Sequence, residues 1–482
     1  MSIHTVWQKS FDFFAGKPIV VEPSAGLLTS DAGLLPIRQF DERIGLTEQF
    51  AEALHDPRHQ PFVVHPLLQM VRMRIYGILA DYPDQNDHDV LRSDPVFKLI
   101  AGRSPEDEDL ASQPTLSRFE NWIDIASFWR LQDVLIDQFI ASFETPPARL
   151  TFDIDVFDDQ VHGQQQLTFF HGYYDQYQYL PRVITCADND QVVMICLLHG
   201  TAHAALGADD DVAYLVERLR AVWPDVDIEL RADSGFAVPA MYEACQRLGV
   251  WYTFGLKLNP VLKRKSDDLL AEALQAYEQT GQKHRLFEGF WYRAESWLQP
   301  RYTIVKCEAH AQGTNRRAVV TNRHGAPILP GATYDEYAER GESENRNKEL
   351  KCGLQADRLS DHRYLANLFR LYLHTAALNL LVRLRRKGAD PPPSDAPDDL
   401  PAEALAEPQR RRYFNRRRER DPLGEGQPCT WQTRLIKVAA EIIVSARRIL
   451  VRLSKTWPYL NHYQHVSHVV VGITPLVPPK PG

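Results

Sequence analysis

The sequence predicts an α/β protein in which helices pack on a mixed sheet, a β-rich insertion interrupts that sheet region, and helical N-terminal and C-terminal regions flank it. Three observations predict this arrangement. Apolar residues recur at helical spacing in the first part of the chain. Strand-like and helix-like runs then follow in the order β-β-β-α-β-α-β, and aromatic and basic strands come after them. Because the first strands are not separated by helices, the sheet is expected to be mixed.

Composition excludes several classes of protein. The 482 residues are 44% hydrophobic and 24% charged, which is typical of globular chains and not of disordered or fibrous ones. The six cysteines include no CxxC pair, which argues against a disulfide framework or a zinc ribbon and suits a reducing compartment. No apolar run reaches about eighteen residues, so we expect no membrane span. The sequence contains no GxxxxGK[ST] motif, so we expect no nucleotide hydrolysis.

Residues 1–145 form the helical N-terminal region, which we interpret as DNA-binding. The runs LTEQFAEALHD and PLLQMVRMRIYGILADY have the helical period. Further on, SQPTLSRFENW is similar to the second half of a helix-turn-helix, whose helix would present Thr115, Ser117 and Arg118 to a DNA groove. A capped helix within a helical bundle explains the same run equally well.

Residues 146–258 form the first part of the sheet region. The runs ARLTFDIDVFDD, LPRVITCAD and QVVMICLLHG predict three consecutive strands, and two helices alternate with the strands VDIELRADS and VWYTFGLKL. Asp153 and Asp155 alternate on the first strand and therefore share a face. Asp233 ends a later strand, at an edge where carboxyl ends of strands open into a crevice.

Residues 259–332 form the β-rich insertion, which we expect to fold as its own small sheet. Residues 333–388 complete the sheet region with a helix that carries a stripe of polar residues on one face. The stripe consists of Tyr337, Arg340, Glu344, Lys348 and Lys351. A carboxylate flanked by cations suits a phosphate backbone beside a metal, and a solvated helix with salt bridges is the alternative. Gly341 disfavours a helix interior, so the helix is expected to begin near Glu342.

Residues 389–430 are predicted to be a linker, first rich in proline and aspartate and then in arginine, and 431–482 a basic helical region. From Arg383 onward the chain has 18 Lys and Arg against 10 Asp and Glu, so the remainder has a net charge of about −16. A basic end on an acidic body suits a polyanion partner, although a solvated basic tail is the alternative. We predict phosphate contacts for the linker arginines Arg410, Arg411, Arg412, Arg416, Arg417 and Arg418.

Acids from separate elements are the candidate catalytic residues: Asp153 or Asp155 on the first strand, Asp233 on the later strand, and Glu344 on the helix. Carboxylates that meet in a fold repel one another unless hard cations neutralise them, and oxygen ligands suit Mg²⁺ or Mn²⁺. Two such ions can activate a water or a 3′-hydroxyl and stabilise the leaving oxygen in phosphodiester chemistry.

The spacing of four residues on the predicted helix resembles a known signature. Tyr337-x2-Arg340-x3-Glu344-x6-Lys351 matches the Y-(2)-R-(3)-E-(6)-K pattern of the DDE transposases of bacterial insertion sequences. The runs DIDVFDDQVHGQQ, LRADSGFA, ERGESENRNKELK and ADRLSDHRYLANLFRLYLH occur in the same order in the group called transposase DDE group 1. The resemblance covers the chain from about residue 20 to 460.

This resemblance implies an RNase H-like catalytic core in which Asp155, Asp233 and Glu344 bind two Mg²⁺ (or Mn²⁺) ions. It selects Asp155 over Asp153 as the first acid. It also implies that Tyr337, Arg340 and Lys351 contact transposon-end DNA. One departure is Phe157, where related transposases usually have threonine, and this change is expected to weaken a DNA contact.

The insertion contributes two further candidates. Trp291 and Trp297 lie among arginines and a tyrosine, and related transposases that form DNA hairpins use an aromatic side chain from this region to hold a flipped base. Both tryptophans are equally explained as core residues.

The resemblance implies a cut-and-paste DNA transposase that binds the terminal inverted repeats of its insertion sequence and performs metal-dependent strand cleavage and transfer. Its partners would be double-stranded transposon-end DNA and target DNA, bound by a homodimer in the bacterial cytoplasm at the nucleoid, with no membrane. Two alternatives stay open. One is an RNase H-like nuclease without transposition, and the other is a catalytically inactive DNA-binding descendant.

Overall fold

The computed structural model describes residues 8–11, 13, 17, 19–23, 25–172, 175–323, 329–388, 423, 424 and 426–472. The N-terminal region contains three short strands and a series of helices. The strands are β1 (Lys9–Phe11), β2 (Ile19–Val21) and β3 (Leu27–Thr29). The helices are α1 (Leu34–Ile44), α2 (Leu46–Glu52), α3 (Leu67–Leu79), α4 (His88–Leu91), α5 (Pro95–Ile100), α6 (Gln113–Asn121) and α7 (Ile125–Ile140), with a 3₁₀ turn at Gln60–Phe62.

The helix predicted at SQPTLSRFENW is α6, and it packs within a helical bundle. It places Phe119 and Glu120 in the core, and the Phe119 ring contacts that of Phe369 at 5.3 Å. Arg118 lies on the exposed side of the helix. The bundle alternative therefore describes the packing of α6, and only its outer side is open to a partner.

A large mixed sheet forms the centre of the molecule. Its strands and helices are β4 (Arg149–Val156), β5 (Asp159–Gln160), β6 (Phe169–His171), β7 (Gln176–Cys186), β8 (Val192–His199), α8 (Ala208–Val222), β9 (Asp227–Ala232), α9 (Pro239–Leu248) and β10 (Trp251–Leu256). Strands β8, β7, β4, β9 and β10 are neighbours in that order. Strand β7 is antiparallel to β4 and β8, whereas β4, β9 and β10 are parallel. The predicted mixed sheet and RNase H-like core are confirmed.

The insertion extends this sheet, and the expectation of a separate small sheet is wrong. It begins with two helices, α10 (Pro260–Lys265) and α11 (Asp267–Thr280), and continues with strands β11 (His284–Tyr292), β12 (Arg301–His310) and β13 (Gly313–Thr321). Strand β13 pairs with β10, so the order continues as β10-β13-β12-β11. Without this pairing the edge of β10 would leave backbone donors and acceptors unpaired.

The polar stripe does not lie on one continuous helix. The chain forms α12 (Pro330–Ala338), then α13 (Gly341–Lys348), and then a π turn at Glu349–Gly353. The interruption falls beside Gly341, as the low helix propensity of glycine predicted. Tyr337 and Glu344 consequently lie on different helices, and the single helix face predicted for the stripe is wrong.

The prediction of a basic helix at the start of the C-terminal region is also wrong. A short helix, α15 (Pro428–Trp431), and a π turn at Gln432–Ile436 lead into the hairpin of β14 (Ala440–Ser445) and β15 (Arg448–Leu453), and helix α16 (Leu460–Gly472) follows. Strand β14 pairs with β3, which joins the two ends of the described chain. The run EIIVSARRILVRL is rich in β-branched residues and finds a free strand edge in β3.

Helix α14 (Tyr364–Gly388) is the central helix of the larger hydrophobic core. By length and composition it could cross a membrane, but 89% of its most apolar window is buried inside the fold, which is typical of a core helix. The predicted linker arginines, from Arg410 to Arg418, lie outside the described residues.

Candidate functional site

Two of the predicted acids meet at one edge of the central sheet. Asp155 is the penultimate residue of β4, and Asp233 directly follows β9. These strands are adjacent and parallel, with Ile154 paired to Ala232. The carboxyl ends of parallel neighbours open at the same edge, so the chain direction alone brings the two acids together.

Asp153 lies two residues before Asp155 on β4 and has a different role. Its two carboxylate oxygens accept hydrogen bonds from Nε and Nη2 of Arg231 at 2.8 and 2.9 Å, and both side chains are nearly fully buried. The same guanidinium donates to the backbone carbonyl of Glu336 in α12 at 2.7 Å. Asp153 is therefore engaged in a buried ion pair that holds α12 against the sheet, and is not available as a metal ligand.

Arg340 brings the third acid to this edge. Its Nη1 donates to Oδ2 of Asp155 at 3.1 Å, and its Nη2 donates to Oε1 of Glu344 at 3.4 Å. Asp155 is largely buried, whereas the Glu344 side chain is 55% exposed. One guanidinium thus lies between two carboxylates that are 189 positions apart in the chain.

The electrostatics of Asp155 reflect this crowding. Burial raises the pKa of its carboxyl to about 6, against the lowering effect of the Arg340 guanidinium. The negative charges of Asp233 and Glu344 contribute smaller parts of this increase in the pKa. The three acids are therefore close enough to interact, and a positive charge placed among them would relieve their repulsion.

The donor chemistry of these acids fits a hard divalent cation. Carboxylate oxygens are the ligands that Mg²⁺ and Mn²⁺ prefer, and the mutual repulsion at Asp155 is what such an ion would offset. Among the described residues, no three histidine, cysteine or acidic side chains already stand at ligating distance. Arg340 occupies the space between Asp155 and Glu344, so binding an ion requires this guanidinium to move.

Tyr337 approaches the sheet at a glycine. Gly255 lies on β10 next to the position of Asp233, because the preceding pair is Phe254 with Ala232. A Cβ atom at Gly255 would lie 2.7 Å from the hydroxyl oxygen of Tyr337 and 3.0 Å from the backbone nitrogen of Ser234. Only glycine leaves room here for α12 to pack this closely.

Gly255→Ala is expected to push Tyr337 and α12 away from the acids and to lower the catalytic rate of this site by up to about a hundredfold, because a displacement of about 1 Å has that effect in active sites. Catalytic rate and urea unfolding are the measurements. Gly163→Ala, where an added Cβ meets nothing within 4 Å, is the control. If the clash is the cause, Tyr337→Phe in the same chain should recover part of the loss, and no recovery would contradict the explanation.

The remaining signature cation is paired with an acid that the sequence did not single out. Nζ of Lys351 donates to Oδ1 of Asp158 at 2.7 Å, which joins the π turn after α13 to the segment after β4. The carboxyl of Asp158 has a lowered pKa, because its hydrogen bonds from Lys351 and Gln176 outweigh the effect of burial. The only feature of the sequence that could have identified Asp158 as a site residue is its position directly after the first strand. Lys348, by contrast, is exposed.

The two tryptophans of the insertion have different environments. Trp297 is 4% exposed and packs against Tyr242 and Tyr292, and this burial contradicts the stacking role predicted for it. Trp291 is 59% exposed. It lies on β11, five strands from β4, which corresponds to roughly 24 Å along the sheet at the usual strand spacing. A base stacked on Trp291 would therefore be far from Asp155 of the same chain.

Phe157, the departure from the usual threonine, is buried. Its backbone N–H donates to the carbonyl of Pro181 at 3.0 Å. The phenylalanine ring belongs to the larger hydrophobic core, so this position contributes packing beside the acids and no hydroxyl group.

A family model described as "Transposase DDE domain group 1" matches residues 11–392. No curated protein sequence matches the chain. Among solved structures, the cryo-EM structure of a piggyBac transposase synaptic complex with hairpin DNA is similar with a TM-score of 0.39 and 12% sequence identity, covering 94% of this chain and 87% of that one.

Proposed function

The chain belongs to the transposase DDE domain group 1 family, and from this premise we propose that it is a DNA transposase acting on the terminal inverted repeats of its own insertion sequence. The observation that carries the proposal is the meeting of Asp155, Asp233 and Glu344 at one sheet edge, where β4 and β9 are parallel neighbours and Arg340 donates to both Asp155 and Glu344. We place its action at the bacterial nucleoid.

Asp155, Asp233 and Glu344 are the residues that would hold two Mg²⁺ or Mn²⁺ ions. When bound, such ions activate the attacking oxygen and stabilise the leaving oxygen of the phosphodiester. The chain supplies the rest. Arg231 fixes α12 through Asp153 and the Glu336 carbonyl. Arg340, released from the acids, would then reach a phosphate.

The partners follow from this chemistry. Double-stranded transposon-end DNA would lie along the edge bordered by Tyr337, Lys348 and Lys351, with Arg118 and the linker arginines as additional phosphate contacts. Target DNA would enter the same edge for strand transfer. A homodimer would hold two ends at once, which cut-and-paste transfer of both ends requires.

The test is a strand-transfer assay with supercoiled plasmid that carries the inverted repeats flanking the reading frame in its genome. We expect Mg²⁺-dependent cleavage at the repeats and joining of the freed 3′ ends to a second DNA. Cleavage at the repeats without joining would favour the nuclease alternative. Binding of the repeats without cleavage would favour the inactive descendant, and no binding would contradict all three.

A further inference from the structure

We propose that five exposed cations at the end of the sheet where the acids open form the main docking surface for the DNA backbone. We call them the basic edge: Lys257, Lys263, Arg264, Lys265 and Arg317. The inference rests on the proposed function and deepens it, because it names the surface that receives the duplex. None of these residues belongs to the Y-(2)-R-(3)-E-(6)-K signature or to the arginine-rich linker.

The signature cations are already neutralised inside the protein. Arg340 donates to Asp155 and Glu344, and Lys351 donates to Asp158. To bind a phosphate, each must first leave a carboxylate, and this exchange reduces the net gain from a DNA contact. They are therefore poor candidates for capturing DNA, although they are well placed to contact it later.

The cations of the basic edge are in the opposite condition. All five side chains are exposed. In the part of the chain that the structure describes, none of them has an ion-pair partner or a side-chain hydrogen bond. Lys265 alone makes a ring contact, with its ammonium 5.2 Å from the centre of the Phe290 ring. In a body of net negative charge, this unneutralised group is a local attraction for a polyanion.

The sheet register places two of these cations, Lys257 and Arg317, at the end of the sheet where the acids open. Gly255 is level with Asp233, so Lys257 is about 7 Å further in the same strand direction, beyond the edge where the acids open. Leu256 pairs with Ala318, and the next residues outward are Lys257 and Arg317 on neighbouring strands. These two cations thus stand side by side at the margin of the site.

Helix α10 adds the other three. The side chain of Asn259 caps its start by accepting a hydrogen bond from the backbone N–H of Leu262 at 2.9 Å. At its end, Nη1 of Arg316 in β13 donates to the carbonyl of Lys263 at 2.6 Å. This bond anchors the cationic end of α10 to β13 on the sheet face opposite to Arg317, because consecutive residues of a strand point to opposite faces. The basic edge therefore follows this end of the sheet on both of its faces, and α10 is held to the sheet as part of the folded body.

A simpler explanation of the α10 cations is that they stabilise the carboxyl end of their own helix. Arg247 supplies a matched control. It is exposed, it lies in the last turn of α9, and it precedes β10 whereas Lys257 follows that strand. A helix-dipole role predicts the same small loss of stability for cations of both helices and no effect on DNA. Docking predicts that only the loss of the α10 cations, and not the loss of Arg247, weakens DNA binding.

The experiment measures the affinity of the full chain for duplex DNA, both of terminal-repeat and of random sequence, as a function of salt concentration. Each lost phosphate contact lowers the slope of log K against log salt by about 0.9. We expect Lys263→Gln/Arg264→Gln/Lys265→Gln to reduce the slope by about 2–3, Lys257→Gln to reduce it by about 1, and Arg247→Gln to leave it unchanged. The loss should be equal for both duplexes, because phosphate contacts carry no sequence information.

Two outcomes would overturn the inference: slopes of the triple variant and Lys257→Gln that equal that of the wild type, or an equal effect from Arg247→Gln. Thermal unfolding of each variant separates a folding defect from a lost contact. Failure of the proposed function looks different. In that case the wild-type chain itself binds neither duplex, or binds without cleaving. A wild-type chain that cleaves and joins DNA while the variants bind normally would refute only the basic edge.

Discussion

Asp233→Asn is expected to abolish DNA cleavage, by about a thousandfold or more, and to leave end binding nearly unchanged. The substitution removes a negative charge that a divalent cation needs, and such an ion supplies several kcal/mol of transition-state stabilisation. The local fold should survive, because Oδ1 of Asp233 accepts a hydrogen bond from the Gly235 N–H at 2.8 Å and an asparagine oxygen can accept the same bond. Cleavage rate and duplex affinity, measured on the same preparation, test the expectation.

Asp227→Asn is the matched control for this prediction. Asp227 begins the same strand, β9, and is exposed at the end remote from the site. The Asp227→Asn variant should cleave and bind DNA as the wild type does. Equal loss of cleavage and binding in Asp233→Asn would make the residue structural. Cleavage at the wild-type rate would remove Asp233 from the chemistry and with it the proposed arrangement of acids.

The second large effect concerns folding. Glu120→Ala is expected to lower the free energy of unfolding by about 3–5 kcal/mol, the usual cost of removing one partner of a buried ion pair. Glu120 on α6 is fully buried between two arginines and accepts hydrogen bonds from Nε of Arg74 and Nε of Arg370, both at 2.6 Å. Truncation would leave two buried guanidinium groups without their carboxylate. Urea unfolding of the variant measures the change.

This second prediction also tests how α6 is used. Glu106→Ala, in the exposed segment before α6, should change stability by less than about 0.5 kcal/mol. If α6 were a free DNA-reading helix instead of a bundle helix, Glu120→Ala would be nearly as mild as this control. A small effect would therefore contradict the packing described for α6 and return the helix-turn-helix interpretation to consideration.

Several elements could be predicted because their signals are local. The alternation around Asp155 and in the run ending at Asp233 identified two neighbouring strands, and Gly341 marked a helix break. The run EIIVSARRILVRL was misread, because charged residues at helical spacing concealed β-branched ones, and the strand edge that selects the hairpin lies more than 400 positions earlier, in β3. The sequence also could not show that Trp297 is a core residue and Trp291 is not, because both tryptophans have aromatic and basic neighbours in sequence.

By itself, the sequence determined which residues can carry the chemistry and which elements hold them, since side-chain type and backbone periodicity are properties of short segments. Only the tertiary structure decided which charges are available. Arg340 and Lys351 are paired with acids, whereas Lys257 and Arg264 have no acidic partner among the residues that the structure describes. The physical reason is that an ion pair depends on contact distance, and contacts between residues nearly two hundred positions apart exist only after the chain has folded.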